Sequence, residues 1–215
     1  MYPCNLIAGF DPLVLNHLKP NLMKKIFTNI SACLIIMLMI SCSKEDTKLN
    51  SEQLFFSFKT PEWERSIPCD KIKFPPDNQI SEEISYVQAS SISTNASFTF
   101  SFPADSSAMA SASNIKSYGI VGYQNTDNMK SFSISMKLNK KGPEDPKYRL
   151  ISLDGFSDKD YNKVTSIEYV DSDSKYANFI IKGNYKMKML VIGGEKEEFQ
   201  HVTGSYCIKL NTYKK

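Results

Sequence analysis

Apolar side chains recur at every second position in several stretches of this 215-residue chain. Phe98, Phe100 and Phe102 alternate with Thr99 and Ser101, so an extended strand would carry three rings on one face and hydroxyls on the other. Phe132-Ser133-Ile134-Ser135-Met136-Lys137-Leu138 repeats the pattern, and Tyr206, Ile208 and Leu210 repeat it near the end. Less regular alternation predicts strands over Leu54 to Phe58, Ile84 to Ala89, Tyr118 to Tyr123 and Tyr148 to Leu153. Three more are expected over Val164 to Val170, Ala177 to Met189 and Glu198 to Thr203. A slip of one residue would turn the rings into water, so the alternation also sets register.

Turn residues separate these runs. Gly193-Gly194 predicts a hairpin between Val191-Ile192 and the strand holding Phe199, Lys140 to Pro146 reads as a loop, and Asp154-Gly155 as a turn. No long apolar period of 3.6 residues occurs. The best helix candidate is a short turn within Asp105 to Asn114, with the Asp105 carboxylate as its cap; an exposed loop is the equal alternative, because the stretch holds few apolar residues. Short strands with frequent turns predict an all-β fold, an antiparallel β-sandwich or flattened barrel, in a single domain over residues 51–215. Two subdomains meeting near Lys140 to Pro146 are the alternative.

The first 50 residues follow different rules. Lys24 and Lys25 precede an unbroken apolar run, Ala32 to Ile40, whose nine residues fall well short of the roughly 20 that span a bilayer. A basic start, a short apolar stretch and small residues before a cut are the marks of a secretory signal. Residues 1–22 lack any export feature, so they read as a misplaced translation start before Met23. Residues 23–41 form the signal peptide and 42–50 a polar tether.

At the cut, Met39-Ile40-Ser41-Cys42 resembles the lipobox of bacterial lipoproteins processed by the type II signal peptidase. The resemblance implies that Cys42 receives a diacylglyceryl group and becomes the first residue of the mature protein. The thioether requires a thiolate nucleophile, and lasting attachment requires more than one acyl chain. Ser43 stands where an aspartate would signal inner-membrane retention, and Lys44-Glu45-Asp46 resembles the export tag of Bacteroidota-type surface lipoproteins. These likenesses imply an outer-membrane protein facing the exterior, whose non-protein group is the covalent lipid. The closing strands, with Gly183-Asn184-Tyr185 and Gly204-Ser205-Tyr206, resemble the ends of small lipoproteins of unknown function from the same bacteria.

Processing changes the charge and cysteine pictures. Losing residues 1–41 leaves 23 basic and 22 acidic side chains, with no basic patch to suit nucleic acid. Cys69 and Cys207 remain beside Cys42. A bridge between them would add about 5 kcal/mol on the chain-entropy model, and the alternative is two separate buried thiols acting as small apolar fillers.

Candidate chemistry is sparse. His201 is the histidine left after processing, and no glycine-flanked serine nucleophile accompanies it. Asp158-Lys159-Asp160-Tyr161-Asn162 matches the start of a calcium loop, but Lys163 replaces the required glycine and Tyr169 the closing glutamate, so no metal site is expected. Trp63, between Pro61 and Pro68 and flanked by Glu62 and Glu64, offers a platform for a sugar ring or a pin for its own loop. The sequence thus predicts a non-catalytic, lipid-anchored binding or scaffold module rather than an enzyme. Its partners would be the membrane and an extracellular glycan or protein. The alternatives are a glycan-binding accessory protein, or a fimbria-like subunit that accepts a strand from a neighbour.

Overall fold

A computed structural model describes residues 53–69, 78–145 and 147–214; the signal segment, Cys42 and the tether lie outside them. The alternating stretches form antiparallel strands of one sheet. In chain order these begin with β1 (Phe55–Lys59), β2 (Glu64–Pro68), β3 (Asn78–Gln79), β4 (Ile84–Ser91) and β5 (Ala96–Pro103). A long connection then carries one α-helical turn, α1 (Ser106–Met109), and the short strand β6 (Ser117–Tyr118). The remainder are β7 (Ile134–Asn139), β8 (Arg149–Ser152), β9 (Tyr161–Ser172), β10 (Tyr176–Ile192) and β11 (Glu198–Tyr213). The sheet runs β2-β1-β11-β10-β8-β7-β5-β4-β3 and curls strongly into a half-barrel, the all-β architecture expected from the alternation.

Curling brings strands distant in the sheet order into contact. The Phe56 ring of β1 stacks on Phe98 of β5 with centroids 4.1 Å apart and planes 1° from parallel. Phe100 meets Tyr206 of β11 edge-on at 5.4 Å. Phe58, Ile134, Met136, Leu138, Leu150, Phe179, Ile181, Met187 and Ile208 complete a continuous buried core.

β10 is the spine, and its second edge is shared. Ala177 to Lys186 pair with β9, while Met189 to Ile192 pair with β8. At the fork between these partners the Lys188 backbone N–H donates to Asp160 Oδ1 at 2.6 Å. β9 carries an extra residue at Thr165 and another at Val170, and such bulges bend a strand and sharpen its twist.

Two tyrosines cross the β10–β11 pair in opposite directions. Gly183 of β10 lies opposite Tyr206, and Tyr185 lies opposite Gly204 of β11. Each ring fills the space that its facing glycine leaves empty: the Tyr206 hydroxyl donates to Asn162 Oδ1 of β9 at 3.0 Å, and the Tyr185 hydroxyl to the Ser57 carbonyl of β1 at 2.8 Å. Asn162, fully buried, donates in turn to the Phe132 carbonyl at 2.9 Å. Burial raises the pKa of both phenols, so they stay neutral donors. The Gly-polar-Tyr pattern seen twice in the sequence is therefore one reciprocal packing unit.

Several expectations change in detail. β2 forms where the sequence reads as a proline-flanked loop: pairing with β1 defines it, and with Ile67 as its only partly buried side chain it shows no alternation. The strand expected from Phe132 starts at Ile134, since Phe132 takes a left-handed conformation (φ 60°) that swings its ring into the core. Of Tyr118 to Tyr123, Tyr118 pairs with β9 together with the preceding Ser117, and Ile120 bridges to Ile134 and Gly155. The helical turn begins where expected, with Asp105 accepting from the Ala108 N–H at 2.8 Å. The Gly193-Gly194 hairpin also forms, between β10 and β11.

Candidate functional site

The residues singled out in the sequence do not converge. Trp63 is half-buried: its indole N–H donates to the Asn139 carbonyl at 2.9 Å and its ring meets Phe58 edge-on at 4.7 Å. Thr60 holds the same turn through the Glu62 and Trp63 N–H groups. The indole thus clips the β1–β2 turn to the end of β7. Glu64 pairs with Lys59 at 3.3 Å, and Glu62 lies 4.0 Å from Lys140. Lys140 itself binds Glu198 at 2.8 Å, which lowers the pKa of that carboxyl.

Cys69 and Cys207 are both buried but face opposite ways. Cys69 joins the core cluster beside Phe56, whereas Cys207 pairs with Phe55 on the other face of the sheet, and β1 runs between them. A bridge needs Cβ atoms about 4 Å apart, whereas the pairing register sets these two residues on opposite faces with β1 between them. Alkylation of the unfolded, unreduced protein decides between the bridge and two separate thiols: a mass carrying both labels excludes the bridge, and a mass lacking both establishes it.

His201 stands exposed on β11 opposite Lys188. The Asp160 carboxylate is committed to the Lys188 N–H and the Ser157 hydroxyl rather than turned toward Asp158. Among the described residues no group of three metal-ligating side chains occurs.

A different concavity is built on the outer face of β4, β5 and β7, with a volume of about 260 Å³. The pairing register places Gln88, Thr99 and Ser135 side by side across these strands, with Tyr86 two residues before Gln88. One wall is the Tyr123-to-Thr126 segment, with Met129 behind it. That wall is tightly held. The Asn125 N–H closes a turn on the Gly122 carbonyl at 3.0 Å, and the Tyr123 N–H donates to the Ser152 carbonyl at 3.0 Å. The Asp154 carboxylate accepts from the Gly122 N–H at 3.0 Å and from the Asn125 amide at 3.1 Å.

Inside this turn Gln124 has φ 67°, a conformation that suits glycine or asparagine far better. The Lys137 ammonium lies over the Tyr123 ring, 5.3 Å from its centre, and helps hold it in place. Most polar side chains of the cleft are uncommitted: among the described residues, those of Tyr86, Gln88, Thr99, Gln124 and Ser135 make no hydrogen bond. The lining residues carry no formal charge, which suits recognition of a neutral polar ligand better than proton transfer or metal binding.

Sequence reasoning missed this cleft because its floor comes from three strands whose register a single sequence does not reveal. One local signal was present. Gly122-Tyr123-Gln124-Asn125-Thr126 is a run of turn-forming and amide residues that begins at the end of the Tyr118 to Tyr123 strand expectation and runs past it. A second, narrower cavity of about 30 Å³ lies in the core between Ile67, Cys69, Ala89 and the Phe56–Phe98 stack; it is apolar and too small for more than a solvent molecule. No protein-family model matches the chain, and no curated protein or solved structure matches it.

Proposed function

We propose that this chain is a non-catalytic binding module, tethered to the outer membrane through lipid on Cys42 and facing the exterior, with the cleft over β4, β5 and β7 as its binding surface. The observation that carries the reading is the set of unspent hydrogen-bonding groups in that cleft, walled by a turn whose strained Gln124 is held by Asp154. Strain at a non-glycine residue persists only where its surroundings over-determine it, and such residues cluster at ligand sites. The anchoring half rests on Lys24, Lys25, the apolar run and Ser41-Cys42.

The strand-acceptor alternative has less support. β2, at one end of the sheet, exposes Glu64 and Arg65 and ends in Pro68, features that discourage edge-to-edge pairing. Hydrolysis would need a base for a nucleophile, and His201 has no hydrogen-bonded carboxylate or hydroxyl among the described residues.

Palmitate labelling with surface proteolysis of intact cells tests the anchoring. The wild type is expected to incorporate label and to be cleaved from outside, and Cys42→Ala to lose the label and leave the membrane fraction. A native chain that starts at Met1 or Met23 without fatty mass would refute it.

A further inference from the structure

We propose that the outer-face cleft takes a neutral carbohydrate, one or two sugar units of a longer glycan, held between Tyr86 and Tyr123 over the Gln88-Thr99-Ser135 row. The inference rests on the binding-module reading and names the ligand class of the same site.

Three properties of the lining point to this class. First, it carries two tyrosines and no formal charge. A sugar ring presents C–H groups on its faces and hydroxyls around its rim, so it matches amphipathic aromatic rings flanked by neutral hydrogen-bonding groups. Second, the uncommitted groups are of the right kind. Gln88 and Gln124 each offer a donor and an acceptor through one planar amide, and the Thr99 and Ser135 hydroxyls do both through one oxygen. A vicinal pair of sugar hydroxyls, which also donates and accepts, satisfies such a set without any change of protonation. An anionic ligand would leave the acceptor halves unmatched, and a cationic one the donor halves.

Third, the size fits. Sites for drug-sized ligands run from about 300 to 1,000 Å³, so a cleft of about 260 Å³ holds a short segment and leaves the rest of a chain in solvent. The wall is preorganised as well. The Asp154 carboxylate fixes both ends of the Gly122–Asn125 turn, so little ordering entropy remains to be lost there on binding. Trp63, by contrast, has its N–H and one ring edge already occupied within the fold.

The test uses the chain from Ser43 to Lys215, which is the processed protein without its lipidated first residue. It is titrated with manno-, xylo-, cello- and laminari-oligosaccharides, and with oligogalacturonides as an acidic counterpart, while backbone amide shifts are followed. At least one neutral series is expected to move the amides of Tyr86, Gln88, Thr99, Ser135 and the Tyr123–Thr126 wall. Tyr86→Ala and Tyr123→Ala should each weaken that binding by about 10-fold. Gln88→Ala, at an exposed side chain with no internal hydrogen bond to lose, gives the same readout where a tyrosine variant fails to fold. Affinity should stay constant between about 0.01 and 1 M salt, although the screening length falls from about 30 to 3 Å.

Binding by oligogalacturonides alone, or an affinity that falls with salt, would overturn the neutral-sugar assignment while leaving a binding module in place. Shifts elsewhere on the surface, or silence across every series with the protein folded, would also overturn it. Lipidation and surface exposure are read separately by palmitate and protease.

Discussion

Gly204→Ala is expected to cost the fold about 3 kcal/mol or more and to lower the melting temperature by about 10 °C. A methyl group at this position would overlap the Ser57 carbonyl of β1 and the end of the Tyr185 ring. Neither can retreat easily. The carbonyl belongs to a strand paired on both sides, and the ring is buried against Phe56 at 5.7 Å. Gly183→Ala meets the same obstacle from the other direction, overlapping the Tyr206 ring and lying 2.6 Å from the Lys163 carbonyl. Elsewhere in a sheet, alanine for glycine is often mildly favourable because it reduces the freedom of the unfolded chain. Urea unfolding followed by near-ultraviolet circular dichroism distinguishes the cases. A loss below about 1 kcal/mol would mean that the rings do not cross these glycines.

Phe98→Ala should be about as damaging, at roughly 3–5 kcal/mol. Its ring joins the two arms of the half-barrel through the stack on Phe56, so truncation removes apolar burial and a contact between strands far apart in the sheet. The damage should also be unusually open to rescue. Phe98 already lines the small core cavity with Met136, Leu138 and Ala96, and removing the ring enlarges it in apolar surroundings. Such a hole stays dry and accepts a small aromatic molecule. Benzene is therefore expected to raise the melting temperature of Phe98→Ala and to leave that of the wild type unchanged. Because the rings touch, the losses in Phe56→Ala and Phe98→Ala should not add in the double variant. Strict additivity would argue that the two arms do not meet there.

The strands that alternate in the sequence are those whose one face is core. β5, β7, β10 and the second half of β11 read directly, because two-residue periodicity is a local property that burial imposes. The hydroxyl face was less legible. Facing Phe98, Phe100 and Phe102 with serine and threonine suggests a wet surface, yet Ser101 and Ser133 are buried. They are tied into the β5–β7 connection through the Lys130 and Ser133 carbonyls and the Ser133 N–H. Ser152 on β8 does the same, donating to the Val121 carbonyl at 2.8 Å and accepting from the Met136 N–H at 3.0 Å.

That connection folds back over the sheet, an event of long-range topology that local composition does not reveal. The cleft escaped notice for the same reason: its floor and wall meet through pairing and backfolding. β2 was missed on different grounds. An edge strand with one apolar residue has no period, and its neighbour β1 supplies the hydrogen bonds that define it.

The crossed tyrosines also constrain how this chain can change over generations. Positions 183 and 206 share one volume, as do 185 and 204, so a larger residue at either glycine is tolerable only after its facing ring has been shortened. Either single step passes through a weakened protein, by overlap or by an unfilled hole with an abandoned Asn162 or Ser57 partner. Descendants should therefore inherit these residues as couples, and lose them as couples.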